Sequence, residues 1–175
     1  MNITNDKSIN NRNLVFLIGS LIMLIAGIAI FAIHVLWMAV TAVIISVIIE
    51  LIFAKVRGYK LTVGVFVTPI ILTLILPPTL PLYMVGVGAF FATFFAKSLF
   101  GGDGKYIFNP AVAGVLFLII TFPAFLNTMW LNPVTEVVSS ATPLGSLASG
   151  NLSLSFTELL MGNTAGYVGE TFRLG

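Results

Sequence analysis

Apolar residues run almost unbroken through positions 14–33, 35–53, 61–76, 82–96 and 108–126, and polar residues collect in the gaps and after the last run. The runs show neither strand alternation nor a one-sided stripe, so they predict helices that are apolar nearly all round. About 20 such residues cover the ~30 Å hydrocarbon core of a bilayer, which gives about five transmembrane helices. The third and fourth runs are short, and Pro77, Pro78 and Pro81 stand between them. Proline removes an amide donor and clashes with the preceding turn, so a broken or re-entrant connection is expected at residues 77–81. Irregular backbone at membrane depth needs a cover of protein or a wet cavity, so this segment is expected to face the bundle interior. The chain then divides into a polar N-terminus (1–13), a helical bundle (14–126), a long polar loop (127–165) and a short segment after it (166–175). The first run exceeds the usual 7–15-residue core of a signal peptide. With the second run it predicts a membrane hairpin turning near His34, with Trp37 at interfacial level.

Composition agrees with an all-α integral membrane protein. Of 175 residues 58% are hydrophobic and 8% charged, and the mean hydropathy is +1.10. Soluble domains carry about 25% charge. Eight basic residues against six acidic ones are too few and too scattered for a nucleic-acid face. The chain has no cysteine and one histidine, His34, which leaves no cysteine zinc or iron–sulfur site and no histidine-rich metal site within it. Basic residues gather at Lys7 and Arg12, at Lys55, Arg57 and Lys60, and at Lys97 and Lys105. With five alternating spans these groups share one side, which the excess of Lys and Arg marks as cytoplasmic. The N-terminus is then inside, while His34, the prolines and the loop 127–165 lie outside the cytoplasm.

Several residues could carry chemistry, and each has a plain structural account beside it. Glu50 lies about a turn from the inner end of the second run, where an acid is costly and often marks an ion or proton path. Lys55 and Arg57 are near enough along the chain to keep it paired or solvated. In Phe100-Gly101-Gly102-Asp103-Gly104-Lys105, the amides of Gly101 and Gly102 with the charge of Lys105 could meet an anion, though not at P-loop spacing. Asn109 before Pro110 has the form of an N-cap with a first-turn proline. His34 suits an interfacial position, and Trp37, Tyr83 and Trp130 suit an aromatic belt. Gly88, Ala92 and Ala96 recur at a spacing of four, a smooth stripe for close helix contact. Thr142 before Pro143 reads as a helix start, although a hydroxyl in a polar loop can also anchor a cofactor.

Four stretches carry a resemblance in a fixed order: Leu76-Pro77-Pro78-Thr79-Leu80-Pro81; Phe100 to Lys105 with Phe108-Asn109-Pro110-Ala111; Ser139-Ser140-Ala141-Thr142-Pro143-Leu144; and Gly169-Glu170-Thr171. By these the chain resembles the NqrB/RnfD family, the membrane subunits shared by the Na+-translocating NADH:quinone reductase and the Rnf ferredoxin:NAD electron-transport complex. The resemblance implies an inner-membrane subunit of an ion-translocating (Na+ or H+) oxidoreductase, working with the other subunits of its complex. It further implies FMN joined through its phosphate to Thr142 by a flavin transferase, with Ser139, Ser140 and the backbone at Ala141 presenting the threonine or binding the phosphate. A second, noncovalent flavin (riboflavin) belongs to the same expectation. This chain has Glu136 where the family's attachment motif usually opens with aspartate, and Ser140 where it has glycine. Family members are roughly twice as long, so the resemblance covers a first half. The short polar N-terminus leans towards the Rnf type. Glu50, Gly101, Gly102, Lys105 and Asn109 are the candidates for an ion or cofactor path. Two other classes stay open on the residues alone: a transporter or channel half using the broken segment without flavin, and a structural membrane subunit.

Overall fold

The computed structural model describes residues 3–31, 33–58, 61–128, 130–131, 138–139 and 167–169. Among these residues six α-helices follow one another: α1 (Ile3–Phe31), α2 (Ile33–Arg57), α3 (Gly64–Leu74), α4 (Leu82–Phe91), α5 (Pro110–Thr121) and α6 (Pro123–Thr128). A π-helical stretch, Ala92–Ser98, continues α4 without a break. A two-residue antiparallel ladder, β1 (Trp130–Leu131) with β2 (Val138–Ser139), pairs Trp130 with Ser139 and is, among the described residues, the departure from an all-helical chain.

Every apolar run becomes helix, but the lengths differ from five equal spans. Among the described residues α1 and α2 are long and apolar enough to cross a membrane, Asn10–Phe31 of α1 supplying 22 residues and α2 supplying 25. The 11 residues of α3 reach about 16 Å and the 12 of α5 about 18 Å at 1.5 Å per residue, roughly half a hydrocarbon core. α1 also begins at Ile3, so the polar residues 3–13 extend the helix and do not form a separate irregular segment.

Hydrogen bonds between elements define two ends. At one, the basic end, Asn10 Oδ1 accepts from Val63 N at 3.3 Å and Arg57 donates to Ser98 O at 3.0 Å. The start of α1, the end of α2, the start of α3 and the end of the π stretch therefore meet there. At the other, His34 Nε2 lies 3.2 Å from Leu80 O, and the amides of Val168 and Gly169 donate to Leu76 O and Leu74 O at 3.3 and 2.8 Å. Carbonyls at a helix C-terminus lack intrahelical donors, so the segment after the polar loop caps α3. Leu76, Pro77, Pro78 and Leu80 are buried, as backbone irregular at this depth requires. His34 is thus half-buried against the proline segment and not simply interfacial.

The main core joins Met38 of α2, Leu72 of α3, Leu76 and Leu80 of the proline segment, Met84 of α4 and Leu118 of α5. A second cluster seats Val168 among Leu24, Phe31, Val35 and Ile70. The outside is apolar too, with Val15 69%, Ile25 66% and Ile120 80% exposed, a surface suited to hydrocarbon and not to water. The small-residue stripe packs within the chain. A Cβ on Gly114 of α5 would lie 2.8 Å from Ala92 Cβ and 2.9 Å from Gly88 O, so α5 meets α4 at near-backbone contact. Gly114→Ala is accordingly expected to destabilise the protein by about 1–3 kcal/mol through overpacking. Gly19→Ala, where nothing lies within 4 Å of the added carbon, serves as the neutral comparison. Thermal unfolding in detergent checks this, and equal midpoints for the two variants would disprove the close α4–α5 contact.

Candidate functional site: a buried charged cluster at the basic end

Two polar pairs at helical spacing face each other across an apolar interface. Ser46 and Glu50 lie four residues apart on the buried face of α2, and Thr93 and Lys97 lie four apart on the π stretch. Residues at this spacing share a helix face. The upper pair joins through Ser46 Oγ and Thr93 Oγ1 at 2.8 Å, and the lower through Lys97 Nζ and Glu50 Oε1 at 2.6 Å. A π-turn holds more residues than an α-turn and shifts the register of the residues after it, and such turns recur at functional sites. Here Ala92–Ser98 carries Thr93 and Lys97 together against α2.

Lys97 Nζ has two further oxygen partners: Gly64 O at 2.7 Å and Asp103 Oδ1 at 2.7 Å. With Glu50 Oε1 these make three oxygens around an ammonium that offers three donors. The Lys97 side chain is 0% exposed, Glu50 2% and Asp103 8%. Glu50 Oε1 has no partner besides this ammonium, and Ser98 Oγ, on the next residue along, is buried with none. Asp103 also accepts from the hydroxyl of Thr62, and a Cβ at Gly64 would overlap its carboxylate. Glycine is therefore required at the start of α3, whose positive N-terminal end favours an acid beside it.

The glycine-rich loop explains how Asp103 returns to a lysine six positions earlier. Gly101, Gly102 and Gly104 have φ of 111°, 86° and 78°, conformations open to glycine. Gly101 N donates to Ser98 O and Gly102 N to Lys97 O, both at 3.2 Å, which ends the helix and reverses the chain. Arg57 adds its guanidinium to Ser98 O and Leu99 O at 3.0 and 3.1 Å, a cation at a helix C-terminus. Lys105 is exposed. Asn109 caps α5, its Oδ1 accepting from Ala111 N at 3.0 Å with Pro110 in the first turn, as the sequence implies.

Two expectations are corrected here. Glu50 does not pair with Lys55 or Arg57, because five residues along a helix turn Lys55 well off the buried face and Arg57 reaches the carbonyls of Ser98 and Leu99. Lys97, grouped with Lys105 as a basic residue at the membrane edge, is buried between two carboxylates. Sequence reasoning missed Lys97 and Asp103 as site residues; the matching spacing of Ser46–Glu50 and Thr93–Lys97 is the signal that points to Lys97. Of the flavin motif, Ser139 is placed in β2, while Ser140, Ala141 and Thr142 lie outside the described residues, as does Glu136.

Fold and cluster together define a helical membrane protein that keeps a lysine and two acids inside an apolar bundle. The family described as "NQR2, RnfD, RnfE family" matches residues 2–175, and the chain belongs to it. It is similar to the B subunit of the Na(+)-translocating NADH-quinone reductase of Klebsiella pneumoniae (strain 342), with 36% identity over 145 residues, covering 77% of this chain and 35% of the relative. The subunits of the same name from Pseudoalteromonas atlantica and Haemophilus influenzae (strain PittEE) are 36% and 35% identical over 71% of this chain, covering 32% and 33% of theirs. The chain thus spans about a third of the length of the curated relatives it matches.

The Ser46–Thr93 bond lends itself to a double-mutant cycle with Ala at 46 and Val at 93. A coupling of about 0.6 kcal/mol, the average for interhelical hydrogen bonds in a membrane protein, is expected from unfolding midpoints. Purely additive losses would show that the two hydroxyls do not meet.

Proposed function

We propose that the chain is a membrane subunit of an ion-translocating electron-transport complex of the Nqr or Rnf kind, moving Na+ or H+. The observation that carries this reading is the buried Glu50–Lys97–Asp103 cluster in a chain of this family. Ionisable groups inside an apolar bundle are expensive, and they are kept where ions or protons pass. The relatives' name, which makes them the B subunit of a Na(+)-translocating NADH-quinone reductase, supports the same assignment. In this reading Glu50 belongs to the ion path. The N-terminus is cytoplasmic, residues 127–165 lie outside the cytoplasm, and the exposed apolar side chains of α1, α2 and α5 meet the lipid of the inner membrane.

The proposal extends to FMN held through its phosphate on Thr142, attached by a flavin transferase. Thr142 supplies the hydroxyl a phosphodiester needs. Ser139, three residues before it, pairs with Trp130 in the β1–β2 ladder. When bound, the flavin would supply the electron chemistry. The chain's own part is placement: the covalent bond holds the carrier at a fixed distance from its redox partners. A second, noncovalent flavin such as riboflavin and contacts with the complex's other subunits complete the proposal.

Expression with a flavin transferase, followed by in-gel fluorescence and intact mass of the denatured protein, is expected to show covalent flavin on the wild type and none on Thr142→Val. A well-inserted wild type without flavin would overturn the attachment. Glu50→Gln should retain the flavin but lose Na+ or H+ uptake by the reconstituted complex. Unchanged uptake would remove Glu50 from the ion path.

A further inference from the structure

The sequence offers the amides of the glycine-rich turn to an anion, but the fold engages them elsewhere: Gly101 N and Gly102 N donate to Ser98 O and Lys97 O and end the π stretch. What remains beside the turn is charge. Lys105 is exposed, and its stem lies across Gly101, where a Cβ would come 3.1 Å from Lys105 Cδ. Arg57 stands on the same turn. Its Nη1 donates to Ser98 O and Leu99 O, and its guanidinium carbon lies 5.3 Å from the Phe53 ring centre. These contacts fix the guanidinium, and both hydrogen bonds use one nitrogen, which leaves the Nη2 and Nε donors for a ligand. Among the described residues no carboxylate pairs with Arg57 or Lys105, because Glu50 and Asp103 are turned inward on Lys97. Arg12 and Lys55, also exposed, add to the positive charge of this end.

The apolar surround narrows the kind of anion. Ile52 and Val56, four residues apart on α2 and so on one face, are exposed just before Arg57. Beyond Lys105, Ile107 and Phe108 are 69% and 70% exposed on the non-helical stretch that leads into α5. These side chains continue the apolar surface of the bundle up to the two cations. A ligand that satisfies both parts carries an anion and hydrocarbon in one molecule. Basic residues at the rim of an apolar bundle attract anionic headgroups, and a planar guanidinium matches phosphate oxygens. We infer that Arg57 and Lys105 form a headgroup site for an anionic phospholipid. Both cations hold its phosphate, its acyl chains lie on Ile52 and Val56, and Phe108 enters the leaflet beside it as an apolar anchor. Because Arg57 already joins the end of α2 to the end of the π stretch, the bound lipid ties both to the connection before α5. The site uses neither the charged cluster nor the polar loop, and it stands independently of the ion path and of Thr142.

Two measurements test it. Thermal midpoints of the full chain are taken in neutral detergent with added phosphatidylglycerol, or with phosphatidylcholine of the same acyl chains. A ligand that binds only the folded state raises the midpoint. Phosphatidylglycerol is expected to raise the wild-type midpoint by several degrees more than phosphatidylcholine does, and Arg57→Gln/Lys105→Gln to lose most of that difference. Arg12→Gln/Lys55→Gln, which removes the same charge from the same end, should keep it. Each variant is compared with itself in the two lipids, so a lower basal midpoint does not affect the result. Equal wild-type midpoints in the two lipids overturn the site, and so does an equal loss in both double variants, which would make the preference a matter of net charge. An equal rise with inorganic phosphate alone would assign the cations to a soluble anion and likewise overturns it. The second measurement places Phe108→Trp in vesicles containing acyl-brominated phosphatidylglycerol or phosphatidylcholine, with the wild-type signal of Trp37 and Trp130 subtracted. Stronger quenching by the brominated phosphatidylglycerol is expected, and equal quenching by the two contradicts the site. If Arg57→Gln/Lys105→Gln does not accumulate, the quenching decides. Quenching that disappears in membranes carrying the whole complex would put an acidic face of another subunit there in place of lipid, and overturns the proposal.

Discussion

Because a charge inside hydrocarbon must be met by counter-charges and polar partners, the position of Lys97 dictates much of the basic end. Its ammonium needs three acceptors and takes one from α2, one from the start of α3 and one from the glycine-rich loop. Satisfying them brings the basic-end termini of three helical elements to a single point. Removing one member of such a group strands the others in a low dielectric, at a cost of about 3–5 kcal/mol for a buried pair. The glycines at 64, 101 and 102 follow from the same demand. Gly64 must let the Asp103 carboxylate pass close to the backbone, and Gly101 and Gly102 must turn the chain back within a few residues.

The opposite end answers a different constraint. α3 stops at Leu74, well short of a full span, with Pro69 inside it and the proline segment after it. Its terminal carbonyls would be left in an apolar surround, and the amides of Val168 and Gly169 take them. The fit is tight: Gly169 approaches Leu74 so closely that a Cβ would lie 3.2 Å from Leu74 O, and Val168 fills the notch left by Gly27 on α1. The segment after the polar loop is therefore built into the bundle at α3, and not merely laid on it.

Much of this was legible in the residues. The five apolar runs all become helix, the Asn109-Pro110 pair caps α5, the proline segment is buried, and Gly88 with Ala92 admits close approach of α5. These features rest on local or periodic signals, which a single sequence carries. Lys97 was not legible in the same way. A lysine at the end of an apolar run reads as a group reaching for the membrane surface, and its burial is decided by partners on α2, α3 and a loop. The π-helical register that aims it inward depends on those contacts as well, since nothing in Ala92–Ser98 alone favours π over α geometry. Glu50 shows the converse error. Its neighbours in sequence, Lys55 and Arg57, suggested a partner, while the helix rotates Lys55 away and Arg57 reaches the carbonyls of Ser98 and Leu99 instead.

α3 is the element on which both ends converge. Its first carbonyl, Gly64 O, accepts from Lys97 in the charged cluster, and near its other end Leu74 O accepts from Gly169 beyond the polar loop. Gly64 to Leu74, both counted, is 11 residues, about 16 Å of helix at 1.5 Å per residue. A helix is stiff along its axis, whereas hydrogen bonds of 2.7 and 2.8 Å at its two ends tolerate little sliding. An axial shift of α3 large enough to free Gly64 O from Lys97 must also strain the Gly169–Leu74 bond, unless the segment at 167–169 moves with it. A change in the charged cluster at one end and a shift of residues 167–169 at the other are thus mechanically related through one short rod. That relation follows from hydrogen bonds already in the fold, and because Leu72 of α3 packs in the core with Met84 and Leu118, the same shift must also slide Leu72 past them.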